Sequence, residues 1–208
     1  CLNNVLHENA DMKDRILMEK VPSSERFLTD IISAMRDFRV ISLCYQNFRH
    51  PEPFCFNVRP YCVKYFKQRW YLLGDSDLGL RIYSLDRFVD MEELEEHFEI
   101  PKGFDAEEYF GNYFGVIIGE EPEDVKIRVV PDQVKYFRTL PMHGSQRETA
   151  QEDGSSVFSY HIAPTLDFVQ EILSHGADVE VLEPAELRES IADIIAGMAS
   201  RYGLPVSR

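Results

Sequence analysis

The sequence has no CxxC pair, and its His and Cys residues never fall at zinc-ligand spacing, so a structural zinc site has nothing to hold it. No HExxH, GxSxG, Walker loop or GxGxxG occurs, which removes the common metallohydrolase, serine-hydrolase, nucleotidase and dinucleotide-enzyme classes. There is no apolar run of membrane-spanning length and no signal peptide. Positive charge is scarce: 22 Lys and Arg stand against 36 Asp and Glu, a net charge of −14. A long surface for a nucleic-acid backbone needs a basic footprint that this balance does not supply. Tryptophan occurs once, at Trp70. These absences describe a non-enzymatic protein with no metal, no cofactor and no membrane partner.

What is present is a chain of 208 residues, 44% hydrophobic, enough for one large domain or two small ones. Of the four cysteines, Cys44 and Cys62 lie in apolar strands and read as small buried hydrophobes; Cys1 and Cys55 complete the set. A reduced, cytoplasmic protein is the simplest account. The chain begins at Cys1 rather than Met, which points to a piece of a longer protein.

Charge is unevenly spread. Residues 59–90 carry +2, whereas residues 91–124 carry −11. The one positive segment is also the most aromatic. Pro60 to Phe66, the stretch around Trp70-Tyr71-Leu72, and Arg81 to Phe88 read as three strands of an antiparallel meander. The Gly74–Gly79 stretch reads as a loop by composition. Side chains alternate faces along a strand. An unbroken strand therefore puts Arg81, Tyr83, Leu85 and Arg87 on one face, and another puts Arg59, Tyr61, Val63 and Tyr65 on one face. Planar donors beside aromatic rings suit an anion or a nucleobase. Solvated arginines beside ordinary strand tyrosines are the plain alternative, and spacing alone leaves both open.

Around the meander, residues 1–20 look partly helical, and Ser23 or Ser24 caps a helix over Glu25–Arg39 with one apolar face. Val40–Tyr45 and Phe54–Val58 are further strands. About five short strands in some fifty residues close most easily into a small barrel. Met91–Glu99 reads as short helix or irregular, and Asp105 caps a short helix to Phe110. The acidic run 120–124 marks a boundary. Beyond it the order is βαββαβα, that of a ferredoxin-like sandwich with an added helix: a strand at Val125–Val130, Pro131 opening a helix, strands at Gln146–Gln151 and Ser156–Ile162, a helix from Thr165, a strand at Val179–Leu182, and a last helix from Pro184 to Tyr202. Ser145 beside His143 invites a nucleophile and base, but residues so close in sequence rarely face each other productively.

Arg59-Pro60, Trp70-Tyr71-Leu72 and Leu85-Asp86-Arg87 within Arg81–Phe88 together resemble the WYL-domain transcriptional regulators of bacteria, and the segment 124–202 is similar to their C-terminal extension. The resemblance covers nearly the whole chain. It implies an α+β protein: a helical region at 1–39, a small Sm-like (SH3-like) antiparallel β-barrel at 40–90, an acidic and aromatic connector at 91–123, and a ferredoxin-like α/β sandwich at 124–208. It implies an effector-sensing module for a nucleotide-like or oligonucleotide ligand, held by Arg59, Tyr71, Arg81, Tyr83 and Arg87. Trp70, His143 and Gln146 are further contacts. Trp70 is equally a core residue, and Asp86 equally a partner for a neighbouring arginine such as Arg87. One departure is Ser84, where the family often has a basic residue. Relatives carry an N-terminal winged helix-turn-helix that is missing from this sequence, so DNA is an expected partner through that domain, with a homodimer as the assembly. A dimerisation module without a ligand is the alternative.

Overall fold

The computed structural model describes residues 26–48, 51–119 and 121–205. The helical expectation for residues 1–20 and the cap at Ser23 or Ser24 lie outside them. The fold is α+β with two antiparallel sheets, and the chain divides into two compact units between Glu99 and Ile100.

The first unit opens with helix α1, Leu28–Arg36, which buries Ile31 and Ala34. Five strands follow: β1 Arg39–Tyr45, β2 Phe54–Phe66, β3 Arg69–Ser76, β4 Gly79–Ser84 and β5 Phe88–His97. They lie in the order β4-β3-β2-β1-β5. Ile31, Ile41, Leu43, Val58 and Leu72 are fully buried at the centre of the core. β4 and β5 do not pair among the described residues, so the closed barrel is not found.

Three local expectations change. The two strands read at Phe54–Val58 and Pro60–Phe66 are one thirteen-residue strand, β2. Its first part pairs with β1 as far as Val58, and its second part pairs with β3 from Arg59 onward. Pro60, which has no N–H to give a ladder, sits where the partner changes, and the register slips between Pro60 and Cys62. That bulge breaks the simple alternation: Arg59 pairs with Asp75 and so shares a face with the Cys62–Leu73 pair, not with Val63 or Tyr65. Second, the Gly74–Gly79 loop shrinks to a tight turn at Asp77-Leu78. Gly74 lies inside β3, where an added Cβ would stand 2.4 Å from Val58 Cγ1. Third, Arg81–Phe88 is not one strand. A single 3-10 turn, Leu85–Arg87, separates β4 from β5, and the acidic stretch after Phe88 is a strand rather than helix or irregular. Only Phe88 of β5 is buried, with Met91 and Leu94 half-covered, and its register on β1 is irregular, so no two-residue alternation marks it in the sequence.

Cys44 and Cys55 face each other across β1 and β2 and form a disulfide. Cys44 is therefore not the small buried hydrophobe expected; Cys62 remains a free, half-buried thiol.

In the second unit, Asp105 caps the short helix α2, Ala106–Phe110, by accepting from Glu108 N at 2.9 Å. Then come β6 Glu123–Val129, α3 Pro131–Thr139, β7 Arg147–Ala150, β8 Ser156–Ile162, α4 Leu166–Ser174, β9 Val179–Glu183 and α5 Ala185–Arg201. The sheet order is β7-β8-β6-β9, antiparallel throughout. Val125, Ile127 and Val129 alternate inward from β6, and Phe158, Tyr160 and Ile162 from β8. Val134 and Phe137 of α3, Phe168 and Ile172 of α4, and Leu187 and Ile191 of α5 pack against them. No described helix is long and apolar enough to cross a membrane.

Candidate functional site

The 3-10 turn decides the site. It carries Arg87 off the line of β4, to where its guanidinium carbon lies 4.1 Å from the ring centroid of Phe48. The main chain holds it there, because Gln46 N donates to Arg87 O at 3.0 Å. Arg87 is half-buried, and its Nε is enclosed with no hydrogen-bond partner among the described residues. Its guanidinium does interact with the Tyr45 hydroxyl, which also accepts from Ser84 N at 3.3 Å. Burial raises the Tyr45 hydroxyl above the ordinary tyrosine range, and the Arg87 charge pulls it back.

Tyr45 joins Arg87 to the rest. Its ring meets that of Tyr83 edge-on at 5.6 Å, and Tyr83 packs on Phe56 at 5.5 Å. Phe56 stacks on Phe54 at 5.1 Å. Phe54 is 38% exposed and Phe48 82% exposed, so the aromatic cluster reaches the surface. Arg81 stands at the other side; its charge acts on the Tyr83 hydroxyl, which burial raises and a 3.1 Å hydrogen bond with Ser76 lowers. Arg81 is exposed, and its Nε donates to Leu78 O at 3.0 Å. The result is an aromatic shelf with the Arg87 guanidinium beside Tyr45 and the Arg81 charge acting on its floor, Tyr83. This arrangement can stack a planar ring and pair with an anion.

Among the residues predicted from the sequence, Arg81, Tyr83 and Arg87 are thus linked around Tyr45. Tyr83, only 5% exposed, forms the floor. Arg59 is elsewhere: it bonds Asp75 at 3.2 Å, on the face opposite to Tyr83. Tyr71 pairs in register with Lys64 and Ser84 on that same opposite face. Trp70 packs on Tyr65, ring centroids 5.0 Å apart, at the margin of the core. Asp86 bonds Arg69 at 2.7 Å and the Ser84 hydroxyl, so Arg87 is not its partner. Sequence reasoning missed Tyr45, Phe48, Phe54 and Phe56. The alternation of Phe54 and Phe56 was the available signal, but only the β1–β2 register brings them to Tyr83.

His143 and Gln146 belong to the second unit. Gln146 is committed within the fold: Nε2 donates to Phe137 O at 2.8 Å, and Oε1 accepts from Met142 N at 3.1 Å and the Tyr160 hydroxyl at 3.0 Å. His143 Nδ1 does meet Ser145 Oγ, at 2.8 Å, against the sequence expectation for such near neighbours. Nδ1 also accepts from Ser145 N, and Ser145 Oγ accepts from His161 N at 3.0 Å. The contact is therefore a turn-forming cap that ties Ser145 to β8. A polar groove of about 290 Å³ beside it is lined by Asp124, Lys126, Arg147 and His161, and three of these four are already paired, His161 with Asp124 and Lys126 with Glu183. Among the described residues no group of three or more His, Cys, Asp or Glu side chains is placed to hold a metal ion.

The family comparison agrees with this layout. A WYL domain matches residues 26–93 and a WCX domain matches residues 121–199. The chain thus carries a WYL domain followed by a WCX domain. No curated protein matches it. Among solved structures it is similar to proteasome accessory factor B/C (PafBC) of Arthrobacter aurescens, at 19% identity over 89% of this chain and 28% of that one, with a TM-score of 0.37. It is also similar to a CRISPR Cas-related protein, at 18% identity over 85% of this chain and 51% of that one, with a TM-score of 0.51. The second likeness is one of fold. The chain spans about a quarter and about half of the lengths of these two proteins.

Proposed function

We propose that this chain is the effector-sensing part of a bacterial transcriptional regulator, binding a nucleotide-like molecule or nucleic-acid fragment at the Arg81–Arg87 shelf. The observation that carries the reading is Arg87: a half-buried guanidinium laid on an exposed aromatic ring, with an enclosed Nε that no described residue satisfies. Phosphate or a base edge would supply that partner. Tyr45, Phe54 and Phe56 form the stacking surface, with Tyr83 beneath, and Phe48 covers Arg87. Trp70 acts as an outer contact for a ligand longer than one nucleotide, Arg59 and Tyr71 on the opposite face take part only where that ligand wraps around the edge strand β4, and His143 and Gln146 support the second unit. The protein works in the cytoplasm as a homodimer and meets DNA through a helix-turn-helix domain elsewhere in the full protein.

In this reading the first unit is an Sm-like barrel left open between β4 and β5. The second, with its βαββαβ order, is a ferredoxin-like sandwich, and the stretch between β5 and β6 connects the two modules. The test is a titration of the folded protein with short oligothymidylate, mononucleotides and cyclic dinucleotides at low and raised salt. Saturable, salt-sensitive binding that is lost in Arg81→Ala supports the reading. Equal binding by Arg81→Ala and wild type removes Arg81 from the site.

A second reading has its own observation. Ile195 and Met198 of α5 and Tyr202 and Leu204 just beyond it are all at least half exposed, a run at helical spacing that suits pairing of two chains. A dimer that persists at micromolar concentration while no nucleotide binds would favour a dimerisation module.

A further inference from the structure

We infer that the Cys44–Cys55 pair is a thiol–disulfide modification site that controls access to Arg87; this rests on the effector-site reading above. The disulfide bridges β1 and β2 at the last turn of register before the hairpin loop, one residue from the terminal pair Tyr45–Phe54. Cys44 alternates with the buried Leu43 and Tyr45, and Cys55 lies directly opposite it, so both sit on the outer face of the sheet. Cys55 is exposed and Cys44 half-buried, which leaves the bond open to a reductant. Cys62 is different. It lies seven residues further along β2, paired with Leu73 of β3, and burial pushes its thiol up to about 11, so it stays inert.

What the bond pins is the segment that covers the arginine. Tyr45 lies one residue beyond Cys44, Gln46 two, and Phe48 four. These three make the hydroxyl, main-chain and ring contacts to Arg87. With the bond closed, the hairpin ends cannot separate, and Phe48 is held over the guanidinium. With the bond open, only the ladder and the aromatic contacts of Tyr45 hold that end of the hairpin, and its local opening becomes easier. Phe48 then leaves Arg87, and the guanidinium is free for an anion.

The chemistry is thiol–disulfide exchange with a dithiol reductant. One thiolate of the dithiol attacks Cys55 Sγ, the bond to Cys44 Sγ breaks, and Cys44 leaves as a thiolate that takes up a proton. The second thiol of the reductant then displaces Cys55 from the mixed disulfide. Two electrons and two protons pass to the protein, and the dithiol leaves as its own cyclic disulfide.

The experiment uses the full chain, oxidised mildly and then reduced with dithiothreitol, with alkylation and mass analysis to count thiols. Amide hydrogen exchange at Gln46 and binding of a short oligothymidylate are read in both states, for wild type, Phe48→Ala and Arg87→Ala. Among Cys44, Cys55 and Cys62, one free thiol is expected before reduction and three after it, with exchange at Gln46 faster on the order of tenfold after reduction and tighter oligothymidylate binding by the reduced wild type. Phe48→Ala should bind equally well in both states. Cys44 and Cys55 both alkylated in the oxidised sample would overturn the inference, and so would unchanged exchange at Gln46. Equal binding in both redox states, with binding abolished by Arg87→Ala, would overturn redox control and leave the effector site standing. Binding that survives Arg87→Ala would instead remove the effector site, and exchange at Gln46 would still report whether the disulfide governs the hairpin.

Discussion

Arg69 holds Asp86, Nη1 to Oδ2 at 2.7 Å, and this leaves Arg87, the sequence neighbour of Asp86, to lie over Phe48. A carboxylate on Arg87 would have neutralised the site. Because Asp86 is spent on Arg69 and on the Ser84 hydroxyl, the two arginines have different jobs. Arg87→Ala should weaken oligothymidylate binding by roughly ten- to a hundredfold, the worth of one charge-assisted contact of about 1.5–3 kcal/mol. Arg69→Ala should cost no more than about 1 kcal/mol of stability, since its side chain is 48% exposed, and should change binding only through a less fixed Asp86. Equal losses of binding in the two variants, measured by anisotropy titration, would refute this division.

The turn between β2 and β3 offers a stability gain. Lys67 and Gln68 both take positive φ, 45° and 64°, the conformation of a two-residue type I′ hairpin turn that Asn-Gly adopts with least strain. Lys67→Asn with Gln68→Gly should therefore raise stability by about 1 kcal/mol, seen as a higher urea midpoint with an unchanged slope. A lower midpoint would mean that the side chains of Lys67 and Gln68 stabilise the turn more than its backbone strains it.

Much of the fold was legible in the sequence because hydrophobic periodicity and turn chemistry are local. Pro131 at the start of α3, Asp105 as a cap and the βαββαβα order after residue 122 could all be read that way. The site was legible only in part. Arg81 and Arg87 stood out as basic residues among aromatics, but their relation depends on the 3-10 turn at Leu85, which has no breaker residue. Arg59 was placed with the wrong neighbours because the bulge after Pro60 shifts the alternation by one. Phe48 could not be singled out, since a loop residue shows no periodicity. The disulfide required the β1–β2 register, which a sequence with four cysteines does not fix.

Acid should weaken the second unit through Glu148. Arg138 donates to both of its carboxylate oxygens, at 2.8 and 2.6 Å, and Ser156 Oγ donates to one at 2.6 Å. Arg138 first, then Ser156, hold the carboxyl down to about 2. A depressed folded-state value means that the ionised form is stabilised by folding. The contribution is complete above the unfolded value of about 4.3 and is lost as the pH falls from there through about 2. Solvent access limits it to about 1 kcal/mol. Glu148→Gln should lower stability at pH 7 and flatten its decline between pH 4.5 and 2, measured by urea unfolding across that range. A decline as steep as wild type would place the acid sensitivity in other carboxylates.

Within the second unit, a buried carboxylate ties the segment 111–119 to α4, beside the Asn112–Ala163 main-chain bond and the Phe114–Phe168 ring contact. Asp167, 9% exposed in the first turn of α4, accepts from Val116 N and Ile117 N, each at 2.8 Å. Two main-chain donors of an irregular segment thus receive a side-chain acceptor from the first turn of the helix. Gly115 makes the approach possible, because an added Cβ would stand 2.3 Å from Asp167 Oδ2. Removal of the carboxylate in Asp167→Ala leaves both donors without it inside the protein, a loss of about 3 kcal/mol. Asp167→Asn keeps one acceptor oxygen and loses the charge, and should cost about half as much. Gly115→Ala should fall near Asp167→Ala, and the double variant Gly115→Ala/Asp167→Ala should be no worse than either alone, because both break the same contact. Urea unfolding by circular dichroism gives all four values, and additive losses in the double variant would show that Gly115 is constrained by something other than Asp167.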